Sequence, residues 1–188
     1  MGPVSVYQFI TKAALREAAS GKTLTEEAAL RKAASASAPD GTTFLSHSSQ
    51  DTDLTTGAMT VLKNHGATVY IDEIDPSMPP YTNAETAAKL KNRIRVCKKF
   101  VLLATPNSNQ SKWVPWELGI GDGYKSLSNI AIFPVSENST DKSWASWEYL
   151  GLYHKIVFGD IDTLDKKVWM VIDERKNTAT ELAQWIRS

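Results

Sequence analysis

The sequence predicts an α/β fold: a mainly parallel central sheet of about five strands, helices on both faces, and an N-terminal helical arm. Three observations carry this expectation. From Thr42 onward short apolar runs alternate with amphipathic stretches, the connections between them are short, and the first forty or so residues stand apart as alanine-rich. Strand–helix alternation with short connections favours a parallel sheet built by right-handed crossovers. With 188 residues the chain can bury one sizeable core and carry a small appendage. Residues 1–41 are assigned to the arm and its linker, and residues 42–188 to the sheet domain.

In chain order, Val6, Phe9, Ile10, Ala13 and Ala14 recur at helical spacing, and Gly21 is a stop signal. Thr23 and Glu26 form a capping-box pattern before an alanine-rich stretch to about Ala36. Ala34 to Ala38 alternates alanine with serine ahead of Pro39-Asp40-Gly41 and is a linker. Residues 4–36 are thus expected to be helical, either packed on the core or used for oligomerisation or partner docking. Thr43-Phe44-Leu45 is a short strand entering Ser46-His47-Ser48-Ser49. Leu54, Ala58, Val61 and Leu62 mark one face of a helix, with Gly66 where a left-handed cap belongs. Ala67 to Ile71 is the second strand, ending at Asp72, and Pro76, Pro79 and Pro80 keep the next loop irregular. Ala87, Leu90, Ile94 and Cys97 make a second buried stripe. Phe100 to Ala104 is apolar without alternation, as in a strand covered on both faces. A helix from about Pro115 to Lys125 precedes a further apolar strand, Ile130 to Val135. Lys155–Phe158 and Val168–Ile172 form a hairpin or supply the last strand, and a final helix carries Leu182 and Trp185.

Composition excludes several functions. The 21 basic and 21 acidic residues cancel, leaving no basic footprint for non-specific nucleic-acid binding. No apolar run approaches the ~20 residues of a membrane span. Arg16, Glu17 and Lys22 interrupt the N-terminal alanines before a signal-peptide core forms. Cys97 is the single cysteine, which denies the chain an internal disulfide or a thiolate metal cage. A cytoplasmic location with no membrane partner follows as the expectation. His47, His65 and His154 lack metal-ligand spacing, and no serine sits in a G-x-S-x-G elbow. Gly119, Gly121 and Gly123 follow a helix start rather than a strand, so close packing explains them better than a dinucleotide fingerprint. The cluster Lys89, Lys91, Arg93, Arg95, Lys98 and Lys99 is expected on a solvated helix surface.

Ligands of open parallel sheets bind at the carboxyl ends of the strands. Three such ends, Ser46–Ser49, Asp72–Tyr81 and Thr105–Glu117, should converge. They bring one carboxylate at a helix start, Glu117, close to two indoles, Trp113 and Trp116. Taken alone, an acid early in a helix complements the helix dipole.

Thr43-Phe44-Leu45-Ser46-His47-Ser48-Ser49-Gln50-Asp51 resembles the first box of Toll/interleukin-1 receptor (TIR) domains. Val69-Tyr70-Ile71-Asp72 is similar to their second strand, and the proline-rich loop after it to their BB loop. Ser111-Lys112-Trp113-Val114-Pro115-Trp116-Glu117-Leu118 resembles the S-x-W-x-x-x-E-L signature of enzymatic members. The tail is similar to stand-alone bacterial TIR proteins of the Thoeris antiviral kind. The likeness spans roughly residues 42–187. It departs from the animal adaptors, because residues 73–80 lack their Arg-Asp-x-x-Pro-Gly core.

The resemblance implies a flavodoxin-like fold and an NAD⁺ glycohydrolase or cyclase, with Glu117 as the essential carboxylate and no cofactor beyond the NAD⁺ substrate. Ser46, His47, Asp72, Trp113 and Trp116 are the expected substrate-binding residues. Self-assembly through the BB loop, about residues 73–82, and a downstream effector that senses the product complete what it implies. One carboxylate suffices chemically. Nicotinamide leaves as a neutral molecule from a cationic ring, so the general acid of ordinary glycosidases is not needed. Two rivals stand beside this: a non-enzymatic TIR scaffold that only recruits partners, and a transferase acting on other nucleosides.

Overall fold

The computed structural model of the chain describes residues 4–38, 40–72, 84–138, 148–161 and 166–188. Five strands run parallel in the spatial order β4 (Val69–Ile71), β3 (Thr43–Ser46), β5 (Lys99–Ala104), β6 (Ile130–Ser136) and β7 (His154–Ile161). These are the expected parallel strands in flavodoxin-like order. The tail adds both a hairpin and further strands: β8 (Lys167–Asp173) and β9 (Thr178–Glu181) continue the sheet antiparallel.

Two apolar layers cover the sheet, because successive side chains of a strand point to opposite faces. Phe44, Phe100, Leu102, Ile130 and Ile132 pack under α4 (Ala84–Val96) and α6 (Trp113–Tyr124). Leu45, Val101, Leu103, Ala131 and Phe133 face α1 (Lys12–Ala19), α2 (Leu24–Ser35), α3 (Thr52–Asn64) and α7 (Leu182–Arg187). The helix stripe read from Leu54, Ala58, Val61 and Leu62 is fully interior. Gly66 has a φ of 93° after that helix, as its cap position requires. The capping box of Thr23 and Glu26 is formed in both directions.

The N-terminal segment departs from the helical expectation. β1 (Val4–Gln8) pairs antiparallel with β7, and β2 (Ile10–Thr11) pairs parallel with the end of β6. Helix begins only at Lys12. The reason lies elsewhere in the sheet. β6 and β7 pair only at Ala131–His154 and Ile132–Lys155 and then part. Beyond that point both strands expose backbone N–H and C=O groups that need partners. The segment through Phe9 supplies them, one side to each strand. α1 then lies on α3 so closely that Leu15 is completely buried against Gly57.

Two smaller differences accompany it. Gly121 packs on the Phe100 ring, as close packing predicts, but Gly119 and Gly123 face open space. Lys99 is not on the solvated surface. Its side chain is buried, its ammonium bonds Asn129 Oδ1 at 2.6 Å and Ser188 Oγ at 3.1 Å, and it lies 4.8 Å from the centre of the Trp185 ring.

Candidate functional site

Phe44 faces α6, and the two-residue period of β3 carries Ser46 to the same side. On α6, Val114, Leu118 and Gly121 form the stripe that rests on the sheet, and Glu117 falls within that stripe. The helix starts at Trp113, two residues earlier than its proline suggests. Ser111 Oγ accepts the backbone N–H groups of Trp113 and Val114, at 3.2 and 3.3 Å. Pro115 then occupies the first turn, where a missing N–H costs no helical hydrogen bond.

These placements meet at one contact. Ser46 Oγ donates to Glu117 Oε2 at 2.5 Å. Glu117 is 5% exposed and Ser46 1%. Burial pushes the Glu117 pKa up to about 8; the Ser46 hydrogen bond works against that rise, and the negative charge of Asp72 adds to it. Asp72 follows β4, beside β3, and so stands within electrostatic reach of Glu117.

The other expected residues divide. His47 Nδ1 faces the Leu45 carbonyl at 3.3 Å, so its ring folds back on its own strand. Trp113 lies one helical turn before Glu117 and meets Trp116 edge-to-face, with ring centres 5.1 Å apart. Trp116 in turn carries the Lys91 ammonium of α4 at 5.7 Å from its ring centre. The expected BB loop, about residues 73–82, lies outside the described residues. Two surface cavities of about 240 and 300 Å³ share Phe158 and Trp169 and sit apart from Glu117, toward the face covered by α1.

A second set of side chains escaped the sequence reading. Asp51, 2% exposed, accepts Thr105 Oγ1 at 2.5 Å and Asn107 Nδ2 at 2.7 Å. It links the loop after β3 to α5 (Pro106–Gln110), the short helix after β5. From sequence, an Asp just before a helix signals nothing more than a cap.

Glu117 and Ser46 flank the place where the chain order of an open sheet reverses, between β3 and β5, which is where such folds bind ligands. Residues 43–167 match the TIR domain family. The chain belongs to the TIR domain family. The matched segment takes in β3 through the start of β8, with Ser46, Asp72, Trp113 and Glu117 inside it. The chain is also similar to "Probable 3' cyclic ADP-D-ribose synthase ThsB'" of Bacillus cereus (strain MSX-D12), with 36% identity over 130 residues. That alignment covers 68% of this chain and 66% of the relative's length. Among the described residues, no helix of this TIR protein is long and apolar enough to cross a membrane.

Proposed function

We propose that this TIR protein is an NAD⁺ nucleosidase of the ADP-ribosyl cyclase type, which cleaves the nicotinamide–ribose bond and releases a nucleotide signal in bacterial antiviral defence. The observation that carries the proposal is Glu117: a carboxyl buried on the sheet-facing stripe of α6 and held by Ser46, with no cation paired to it among the described residues. A carboxyl so placed costs stability, and such costly acids cluster at functional sites. The similarity to a probable 3' cyclic ADP-D-ribose synthase supports an ADP-ribose product.

The reaction fits a single carboxylate. The bond between ribose C1′ and the ring nitrogen breaks, and its electron pair neutralises the pyridinium as nicotinamide departs. A ribosyl cation remains, to be captured by water or by a hydroxyl of the same nucleotide, whose proton passes to a carboxylate or to solvent. Glu117 steadies the cation electrostatically or by transient attachment. The incoming pyridinium is itself a cation, and its charge draws the raised pKa of Glu117 down toward the ionised form. Trp113 offers an aromatic face to that ring, a contact of about 0.5–2 kcal/mol. Ser46, His47 and Asp72 orient ribose hydroxyls or phosphates, with Trp116 behind Trp113. NAD⁺ is the substrate in this proposal, which calls on no cofactor. Assembly through the loop near residues 73–82 and an effector that senses the product belong to the same proposal.

Purified protein incubated with NAD⁺, with and without crowding agents, should release nicotinamide together with a linear or cyclic ADP-ribose resolved by mass spectrometry. Glu117→Ala should reduce the rate by at least about 100-fold, the scale of a lost transition-state contact. Activity that survives this substitution refutes the assignment. Intact NAD⁺ under every assembling condition, with cellular function unchanged in Glu117→Gln, supports the scaffold instead.

A further inference from the structure

Asp51 occupies the residue before α3, where an aspartate ordinarily turns back to cap the first N–H groups of its helix. Here the side chain makes no cap bond. It reaches across to Thr105 and Asn107 instead, and it does so while almost wholly buried. A buried carboxylate that exchanges its local partner for two distant ones spends its hydrogen bonds on holding segments together.

The segments it holds are the two that build the site. On one side, the Asp51 N–H donates to the Ser48 carbonyl at 2.9 Å, closing the turn that follows Ser46. On the other, Thr105 caps α5 by accepting the Ser108 N–H at 3.1 Å. Ser111 ends α5 and caps α6, whose second turn delivers Glu117. Ser46 and Glu117 then meet, and the circuit is closed. Without Asp51 the circuit is open at the switch point.

We propose that Asp51 is a positioning residue of the site: by clamping Thr105 and Asn107 it sets the Ser46–Glu117 contact, and through it the carboxyl that faces the ribose. The inference rests on the function proposed above for Glu117, but the contact itself is testable without substrate. The Ser46 bond favours the ionised form of Glu117. Loosening that contact while the carboxyl stays buried therefore makes Glu117 harder to ionise.

The experiment follows the Glu117 side-chain carboxyl by ¹³C NMR across pH in the wild type, Asp51→Ala and Asp51→Asn, with Glu117→Gln to assign the signal. NAD⁺ cleavage is measured on the same samples. Asp51→Ala should move the Glu117 midpoint to higher pH and lower kcat by about 10–100-fold with KM little altered, as small misplacements of a reacting group do. Asp51→Asn should recover most of both losses, since Asn107 can flip its amide and Thr105 can turn its hydroxyl to satisfy an amide. If Asp51→Ala does not fold, Asn107→Leu removes one of the two bonds and Thr105→Val removes the other together with the α5 cap, and both should shift the midpoint in the same direction. A folded Asp51→Ala with an unmoved midpoint overturns the proposal, as does activity lost only in proportion to unfolded protein. If the wild type leaves NAD⁺ intact, the proposed function fails, while the titration still decides whether Asp51 sets the contact.

Discussion

Val114, Leu118 and Gly121 give α6 an apolar seam, and Glu117 interrupts it with a group that water would solvate better. The consequence is a carboxyl that remains largely protonated in the empty site at neutral pH. If the ionised form does the work, kcat/KM, which reports the free enzyme, should climb as pH rises through about 8. Ser46 donates to that ionised form, so Ser46→Ala should shift the climb to more alkaline pH and lower the rate at neutrality. Initial rates at low NAD⁺ between about pH 6 and 9 test this. A profile that falls with pH would mean that the protonated acid is the active species.

At Gly57 the backbone of α3 comes close against α1. A methyl group at Gly57 would stand 2.1 Å from the Leu15 carbonyl oxygen and 2.8 Å from its Cγ, so backbone as well as side chain must yield. Alanine gains about 1 kcal/mol over glycine within a helix. Overpacking a tight contact costs about 1–3 kcal/mol, and more where backbone is the obstacle. The second effect prevails. Gly57→Ala should lower Tm by about 2–4 °C for each kcal/mol lost, and thermal unfolding followed by circular dichroism will show it. A rise in Tm would mean that α1 does not seat there.

Over the whole molecule, Glu117 and Lys99 tie stability to pH in opposite senses. The Glu117 pKa lies above its unfolded value, so the stability it contributes is complete at acid pH and is lost as pH rises through about 8. Burial, then the neighbouring Lys98 charge, bring the Lys99 pKa down to about 8. For a lysine lowered in this way, stability is present above its unfolded value and lost as pH falls through the folded one. In urea titrations, the advantage of Glu117→Gln over the wild type should therefore widen from about pH 5 to 8. The difference between Lys99→Met and the wild type should move against the variant from about pH 8 to 10, whatever constant offset its lost hydrogen bonds add. Parallel curves for either pair would contradict the burial of that group.

The order of strands and helices from Thr42, the capping box of Thr23, the left-handed Gly66 and the place of Glu117 early in a helix were legible in the sequence, because each leaves a local mark of period, cap or motif. The strand identity of Val4–Gln8 and Ile10–Thr11 left no such mark. It depends on β6 and β7 parting after two residue pairs, a vacancy that only the assembled sheet contains. Lys99 was legible as a charge but not as a buried one, since Asn129, Trp185 and Ser188 reach it from distant parts of the chain. Asp51 shows the same division: sequence gives an acid before a helix, and packing alone turns it away from that helix toward β5. Local free energies of capping and periodicity are written along the chain; which unpaired groups remain to be satisfied is known only when the elements meet.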